Sequence, residues 1–168
     1  MSIIKKFIFI IFMTAFVGQV NSEEIKKMGT HKDWGTYIIN SDSGKVCFAQ
    51  SKPLLQAPKT NPREARLFIT FRPNEKITNE ISITAGYDFN TKNSIIARSG
   101  KNKYKFDITQ ENFAWMADNK LEKKMIKTMK KGSRIMVTGY NKSGSQTIDH
   151  YSLMGFSKAY SAAKKNCI

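Results

Sequence analysis

One short stretch of the chain carries three residue types that act together in many hydrolases: Asp149, His150 and Ser152. A catalytic triad needs a carboxylate that orients the imidazole and an imidazole that reaches the serine hydroxyl. The stretch is predicted to be a strand, in which His150 and Ser152 share one face while Asp149 points to the other. We therefore predict that these three residues do not form a triad.

The remaining ionisable residues give no clearer pattern. Hydrolysis of a glycan would need two carboxyl groups facing each other, and the acidic residues in or near predicted strands are each accounted for as turn or cap residues: Asp88, Asp107, Glu111 and Asp149. No glycine pattern matches a phosphate-binding loop. His31 is expected at the surface, and the two histidines and two cysteines are too scattered to indicate zinc. We predict no catalytic, cofactor-binding or metal-binding residues, and no cofactor.

The N-terminus has the features of a secretory signal peptide. Lys5 and Lys6 precede the apolar run FIFIIFMTAFV, and Val20 and Ser22 satisfy the small-residue rule before a cleavage site. The run is shorter than the roughly 20 residues that span a bilayer as a helix, which disfavours a permanent anchor. We expect residues 1–22 to be removed and residues 23–168 to form one exported domain without a transmembrane segment. The expected location is the periplasm, with outer-membrane association or secretion as alternatives.

The chain is strongly basic, with 28 Lys and Arg against 13 Asp and Glu and a formal net charge of +15. Export and the small number of arginines, which provide bidentate phosphate contacts, argue against nucleic acid as the partner. The densest basic cluster is KKMIKTMKK, which contains Lys123, Lys124, Lys127, Lys130 and Lys131. These lysines are predicted either to contact an anionic surface weakly and in a salt-sensitive way, or to form the solvated face of a packed helix.

Cys47 and Cys167 are the only cysteines. Cys47 lies in the apolar segment VCFAQ, and Cys167 continues the apolar stripe of a predicted C-terminal helix, so both sulfurs are expected to face one core. An even number of cysteines in an exported protein favours a disulfide, and the lack of a CxxC pair argues against a redox role. The alternatives are two buried free thiols, or an exposed Cys167 on a frayed C-terminus.

Most of the chain is predicted to form strands. β-rich or alternating segments bounded by turn residues occur at 34–39, 46–50, 66–72, 80–87, 93–97, 104–108, 135–140 and 147–153. Turns at 40–44, 99–102 and 141–145 are expected to close three hairpins. The segment 51–63 contains three prolines, so it is expected to be a loop, covering a sheet edge. Residues 113–116 are apolar but indicate neither a helix nor a strand.

Two helices are expected. The first begins at Asn119, where Glu122 three residues later completes a capping box, and its apolar stripe comprises Leu121, Met125, Ile126 and Met129. Gly132 ends it. The second is C-terminal, and its stripe comprises Phe156, Ala159, Tyr160, Ala163 and Cys167.

An ordered set of short motifs spans nearly the whole predicted mature chain. The most specific is the run Asp149-His150-Tyr151-Ser152-Leu153 followed by Gly155-Phe156 and a terminal Cys167. The others are Trp34, Val46-Cys47, Ser51-Lys52-Pro53, Phe71-Arg72-Pro73, Ala85-Gly86-Tyr87, Ala114-Trp115, Lys131-Gly132-Ser133, Gly139, Gly144, Thr147 and Ala159. In this set the sequence resembles the invasion-associated locus B family.

The resemblance implies an exported protein of Gram-negative, mostly alphaproteobacterial, cell envelopes. It implies a mainly β fold, an immunoglobulin-like β-sandwich, and we expect the internal helix and the C-terminal helix to pack on it. The family brings no established catalytic residues, and the invasion role of its founding members does not transfer to this chain. Three residues are expected to have structural roles: Asp149 at a strand end, Tyr151 with a buried ring, and Gly155 at a close approach of the chain.

Together these observations predict a non-catalytic envelope domain that binds a protein or an anionic envelope component through loops or a sheet edge. One alternative is a cationic hydrolase of cell wall or glycan, which would require two carboxyl groups converging in a groove. The other is a peripheral binder of anionic envelope lipid, which depends on how far the lysine face of the internal helix extends.

The signal-peptide interpretation predicts cleavage between Ser22 and Glu23, because the small residues at Val20 and Ser22 fit the signal peptidase rule. N-terminal sequencing of the protein recovered from the cell envelope should begin at Glu23. A cytoplasmic protein that retains Met1 would contradict the predicted export.

Overall fold

The computed structural model of the chain describes residues 24–42 and 44–167. The predicted signal peptide lies outside these residues, so its cleavage remains a prediction. In chain order the elements are β1 (Ile25–His31), β2 (Trp34–Ser41), β3 (Gly44–Ser51), β4 (Leu55–Ala57), β5 (Arg66–Arg72), a 3-10 helix (Pro73–Glu75), β6 (Ile77–Thr84), β7 (Ile95–Ser99), β8 (Asn102–Phe106), β9 (Ile108–Gln110), β10 (Phe113–Trp115), α1 (Asn119–Lys131), β11 (Arg134–Tyr140), β12 (Gln146–Ser152) and α2 (Phe156–Cys167).

Seven strands of the described chain form the larger sheet, in the order β1-β2-β3-β5-β6-β10-β9 with antiparallel pairing throughout. Alternation along β5 buries Leu67, Ile69 and Phe71 on one side of this sheet. Between β5 and β6 the register shifts at Thr70/Phe71, which is a β-bulge. The apolar segment 113–116 contributes β10, since Phe113, Ala114 and Trp115 pair with both β6 and β9.

Five strands form the smaller antiparallel sheet, in the order β4-β12-β11-β7-β8. Its two hairpins are the predicted ones. Asn141 stabilises the β11–β12 turn by accepting the backbone N–H of Ser145 on its Oδ1 at 2.9 Å. The β7–β8 turn contains Gly100 at φ +57°, a backbone conformation that glycine adopts readily.

The two sheets face each other across one hydrophobic core. Ile69 and Ile81 of the larger sheet and Ile95 and Ile135 of the smaller sheet are buried in the same cluster, each at 0 or 1% exposure. The predicted β-sandwich with one internal and one C-terminal helix is therefore confirmed.

The segment 51–63 was expected to be a loop, and this expectation was wrong for four residues, the first of which, Ser51, is the last residue of β3. Leu55, Gln56 and Ala57 form β4, which pairs with β12 at the edge of the smaller sheet. Pro58 follows directly, so the strand ends where the backbone N–H needed for further pairing is missing.

The N-terminal strand β1 was not predicted, and His31 is its last residue rather than a residue before the first strand. The sequence IKKMGTH lacks alternation, and β1 forms because it pairs with β2 along its length. The backbone of His31 also approaches Gly155, where an added Cβ would clash with the His31 carbonyl oxygen. The close approach predicted at Gly155 is therefore present. Gly155 also has φ +89°, a backbone conformation that glycine adopts readily.

Helix α1 has a buried apolar face formed by Met125, Ile126 and Met129. Its N-cap is Asp118 and not Asn119, because the Asp118 carboxylate accepts the backbone N–H groups of Lys120 at 2.6 Å and Leu121 at 3.4 Å. Glu122 makes no capping box, and its carboxyl group turns towards the larger sheet. Neither helix of the described chain is long and apolar enough to span a membrane.

Helix α2 packs on the core side of the larger sheet and is fixed at both ends. At its first turn the Phe156 ring meets the buried Trp34 ring at 4.9 Å between centroids. Trp34 also donates its indole N–H to the Ser152 carbonyl at 2.9 Å, which links β2 to β12 of the other sheet. At its last residue, Cys167 forms a disulfide with Cys47 of β3, whose Cα lies 5.6 Å away.

The predicted Cys47–Cys167 pairing is confirmed, and it closes a loop with a sequence separation of 120. Both cysteines are buried, at 0 and 8% exposure. The alternatives of buried free thiols and of an exposed Cys167 are therefore wrong.

Cys167→Ser should lower the free energy of unfolding by about 4 to 5 kcal/mol in the chain-entropy account of a loop of this length. For a domain of this size the loss corresponds to a fall in melting temperature of roughly 10 to 15 °C. Differential scanning calorimetry of Cys167→Ser, with the Cys47→Ser/Cys167→Ser variant as control, measures the shift. Both variants should melt alike. An unreduced protein whose mass equals that of the dithiol form would contradict the crosslink.

Candidate functional site

The residues considered for a triad are separated by the sheet. Asp149 is 3% exposed and faces the core. His150 lies on the opposite face of the sheet, together with Met136, which is the cross-strand partner of His150. Asp149 lies in the middle of β12 rather than at a strand end. No group of three or more His, Cys, Asp or Glu side chains that could hold a metal ion occurs in the described chain.

Asp149 forms a buried ion pair that the sequence did not predict. Arg63 donates Nη2 to Oδ1 at 2.7 Å and Nη1 to Oδ2 at 3.1 Å, and Nη1 also reaches the Ala85 carbonyl at 3.1 Å. The guanidinium lies 5.5 Å from the centroid of the Tyr87 ring, and Gln56 of β4 donates to Asp149 at 3.1 Å. Since these bonds engage both carboxylate oxygens, Asp149 anchors the segment between β4 and β5 to the smaller sheet.

The outer face of the larger sheet carries a row of aromatic side chains. We call this row the aromatic face: Tyr37 on β2, Phe48 on β3, Phe68 on β5, and Phe113 and Trp115 on β10. Successive ring centroids lie 5.2, 6.0, 6.3 and 5.5 Å apart, so the rings are in contact across the width of the sheet.

The aromatic face lies on the side of the sheet opposite to the core. Phe68 lies between the buried Leu67 and Ile69, and alternation therefore turns its side chain outward. Helix α2 contacts β2, β3 and β5 on the core side, whereas α1 contacts β6 and β8. Except for Phe48, at 9% exposure, the rings of the row are partly exposed. A contiguous row of partly exposed aromatic rings is typical of an interaction site.

A groove of about 510 Å³ begins where the aromatic face ends. Trp115 lines it on one side, and Arg72, Glu80 and Glu122 line it on the others. Arg72 binds Glu80 through two hydrogen bonds, at 3.0 and 2.8 Å, and Glu75 at 3.1 Å.

Glu122 reaches the groove from the first turn of α1. Strand β10 ends at Trp115, which pairs with Ser82 of β6, so the next residue of β6 has no partner strand on that side. Ile81 instead donates its backbone N–H to the Glu122 carboxyl oxygen at 2.8 Å. The carboxyl group thus takes the place of a strand carbonyl, which explains why a charged residue is only 4% exposed here.

Burial, together with the nearby negative charges of Glu80 and Asp118, raises the pKa of Glu122 to about 7, against the lowering effect of the Ile81 hydrogen bond. A carboxyl group with a pKa near neutrality in a groove can serve as a general acid. Its only possible partner among the groove-lining carboxylates, Glu80, binds Arg72 through both oxygens. Each of these carboxyl groups therefore has a structural partner.

The five predicted lysines of α1 are all exposed, but they do not act as one set. Lys130 lies over the Tyr160 ring of α2 at 3.9 Å, and Lys123 lines the groove. Lys124, Lys127 and Lys131 remain on the outward side of the helix.

Sequence reasoning missed the aromatic face, although one signal for it is present. In RLFITFR the apolar residue Phe68 occupies a position that alternation assigns to solvent, as Phe48 does next to Cys47. Apolar residues at outward positions of neighbouring strands indicate a covered or binding face. Which strands are neighbours, however, follows only from the sheet order.

These features define a small β-sandwich domain whose C-terminal helix is held by a disulfide and whose larger sheet presents an aromatic outer face. Residues 34–164 match a family model described as Invasion associated locus B (IalB) protein. The match covers more than half of the chain, and the chain therefore belongs to the invasion-associated locus B family, as its motifs indicated.

Comparison with solved structures gives the same fold. The crystal structure of invasion associated protein B from Bartonella henselae matches with a TM-score of 0.58 at 11% sequence identity, covering 82% of this chain and 96% of that chain. At this identity the likeness concerns the fold alone. A search of curated proteins found no match.

The raised pKa of Glu122 predicts a pH-dependent stability. The folded protein retains the Glu122 proton between the ordinary pKa of 4.5 and about 7, whereas the unfolded chain loses it. Stability therefore falls as pH rises through this window, by about 3 kcal/mol in total from this group. Glu122→Gln keeps an oxygen that can accept the Ile81 N–H, but the amide does not titrate. The fall in stability that Glu122 causes in this pH window should therefore be absent in the variant.

Urea denaturation at pH 5 and pH 8 measures the effect, with the exposed Glu111→Gln as the matched control. Glu111→Gln should behave like the wild type. The same pH dependence in Glu122→Gln and wild type would show that Glu122 ionises at its ordinary pKa.

Proposed function

We propose that this chain is an exported, non-catalytic domain of the bacterial cell envelope that binds another protein through its aromatic face. The observation that carries the proposal is the continuous row from Tyr37 to Trp115 on the side of the larger sheet that no helix of the described chain covers. Partly exposed aromatic rings in contact with one another provide a large apolar area at low conformational cost, which is typical of the centre of protein interfaces.

The packing of the rings favours a protein over a sugar. Tyr37 and Phe48 are within 13° of parallel at 5.2 Å, and Phe113 and Trp115 are within 14° at 5.5 Å. Rings this close and this parallel overlap in part, so each covers part of its neighbour's face. Sugars stack on open ring faces, whereas the apolar side chains of a protein pack against ring edges as well.

The surroundings of the row fit the polar rim of such an interface. Arg66 and Arg72 lie on β5 beside the row and are partly exposed, whereas Thr70, Ser82 and Thr84 on the same side of the sheet are buried. Both arginines already pair with carboxylates of this chain, Arg66 with Glu64 at 2.7 Å and Arg72 with Glu80 at 2.8 Å. A partner would therefore meet neutralised charges around an aromatic centre, the usual anatomy of a protein interface.

Export and location in the periplasm are supported by three facts. The N-terminal sequence has the pattern of a signal peptide, the family is one of envelope proteins, and disulfides persist in oxidising compartments. The alternative of a wall or glycan hydrolase is less well supported, because Glu80 and Glu122 are each engaged by a structural partner.

Site-specific photocrosslinking in the intact cell tests the proposal. A photoreactive side chain at Phe68 should give a discrete adduct with a different protein, and the same group at Ile148, on the outer face of the smaller sheet, should not. Phe113→Thr should reduce the adduct at Phe68, because threonine suits a strand but removes the ring. Met136→Thr on the other sheet should leave it unchanged.

No adduct at Phe68, equal adducts at both positions, or an adduct with a second copy of this chain or with a glycan would overturn the proposal. Circular dichroism of Phe113→Thr and Met136→Thr confirms that both variants fold.

A further inference from the structure

A second surface, distinct from the aromatic face, concentrates positive charge. Lys120, Lys124, Lys127 and Lys131 are spaced by four, three and four residues, which places them on one face of α1. Lys103 and Lys105 are exposed on β8, on either side of the buried Tyr104. We call these six lysines the basic face.

Helix α1 and strand β8 lie side by side, so the lysines of the helix and those of the strand are on adjoining parts of the surface. Near the start of α1 the backbone N–H of Ala117 binds the Asp107 carboxylate, just beyond β8, at 2.9 Å. In the middle the Tyr104 hydroxyl lies 2.6 Å from the Thr128 hydroxyl. At its end Lys131 shares a cavity of about 510 Å³ with Gly100 and Asn102, at the turn before β8.

The charge of the basic face is not neutralised within the described chain. The ion pairs of the described chain all involve cations outside the basic face, namely Lys52, Arg63, Arg66, Arg72 and Lys142. The carboxyl group of Glu122, on the same helix, points to Ile81, and Asp118 caps the N-terminus of the helix. At the far end Arg134 adds a further cation to the cavity that Lys131 lines.

We propose that the basic face adsorbs the protein to the surface of an anionic phospholipid bilayer. A helix of 13 residues is about 20 Å long, and with the strand beside it the lysines cover a broad area rather than a narrow groove. Such an area matches a layer of phosphates better than it matches a single chain of them. Lysine also suits this partner, because it acts as a point charge and needs no fixed bidentate geometry.

The structure also determines the mode of contact. The apolar face of α1 is in the core, with Met125 and Met129 fully buried, so this helix does not insert into lipid as a free amphipathic helix does. Attraction is therefore electrostatic and falls with salt. Adsorption through α1 and β8 leaves the aromatic face free, because its residues lie on β2, β3, β5 and β10. This inference is independent of the proposed protein partner.

Sedimentation of the exported protein with vesicles tests the inference. Vesicles of phosphatidylethanolamine and phosphatidylglycerol at 3:1 should bind it in 50 mM NaCl, and pure phosphatidylcholine vesicles should not. Each lysine near an anionic surface contributes about fivefold to the partition coefficient. Lys103→Gln/Lys105→Gln/Lys124→Gln/Lys127→Gln should therefore weaken binding at least tenfold. The matched control, Lys26→Gln/Lys27→Gln/Lys59→Gln/Lys92→Gln, removes the same charge from exposed lysines elsewhere and should weaken it less than threefold.

Equal losses in the two variants would show that net charge and not the basic face is responsible. If the wild type still bound in 300 mM NaCl, or also bound phosphatidylcholine vesicles, the contact with the bilayer would be apolar and not electrostatic. Competition by millimolar glycerol phosphate would indicate a site for a free phosphate. Each of these results, or no binding of the wild type at all, overturns the inference, and thermal melting shows whether the variants fold.

Discussion

The attachment of α2 to the larger sheet is the constraint on which the rest of the structure depends. Trp34 and Phe156 hold the start of the helix, and the Cys47–Cys167 disulfide holds its end. The indole N–H of Trp34 also reaches Ser152 of the smaller sheet, so one buried side chain connects both sheets and the helix. Because α2 covers the core side of β2, β3 and β5, the opposite side of the same strands is left to carry the aromatic face.

A second constraint links α1 to the place where β10 stops. Strand β6 continues beyond Trp115, and its unpaired Ile81 N–H is satisfied by Glu122 from the first turn of the helix. An apolar residue at 122 would leave a buried donor unsatisfied, which costs roughly 1 to 3 kcal/mol. The carboxyl group avoids this cost but holds its own proton up to a pH of about 7. The helix that carries the basic face is thus positioned by its one buried acidic side chain.

The parts of the fold that were predictable are those encoded locally. Hairpin turns such as Asn141–Ser145, the apolar stripe of α2 and the facing of Cys47 and Cys167 follow from short-range spacing. The missed parts depend on partners distant in sequence. β1 exists through its pairing with β2, and Arg63 is buried because Asp149, 86 residues away, is buried opposite it. The aromatic face required the sheet order, which places β10 beside β6 and not beside β11.

The sheet order also bears on how this domain binds. Addition of a partner strand to a sheet edge was one expected mode, but the edges of the described sheets discourage it. The larger sheet ends in β1, which carries Lys26 and Lys27, and in β9, which has three residues. The smaller sheet ends in β4, which Pro58 terminates, and in β8, which carries Lys103 and Lys105. Since charge, proline and short length protect the edges, the faces are left for recognition. The aromatic face is the surface proposed for a protein partner, and the lysines that protect the β8 edge also form part of the surface proposed to adsorb to anionic lipid.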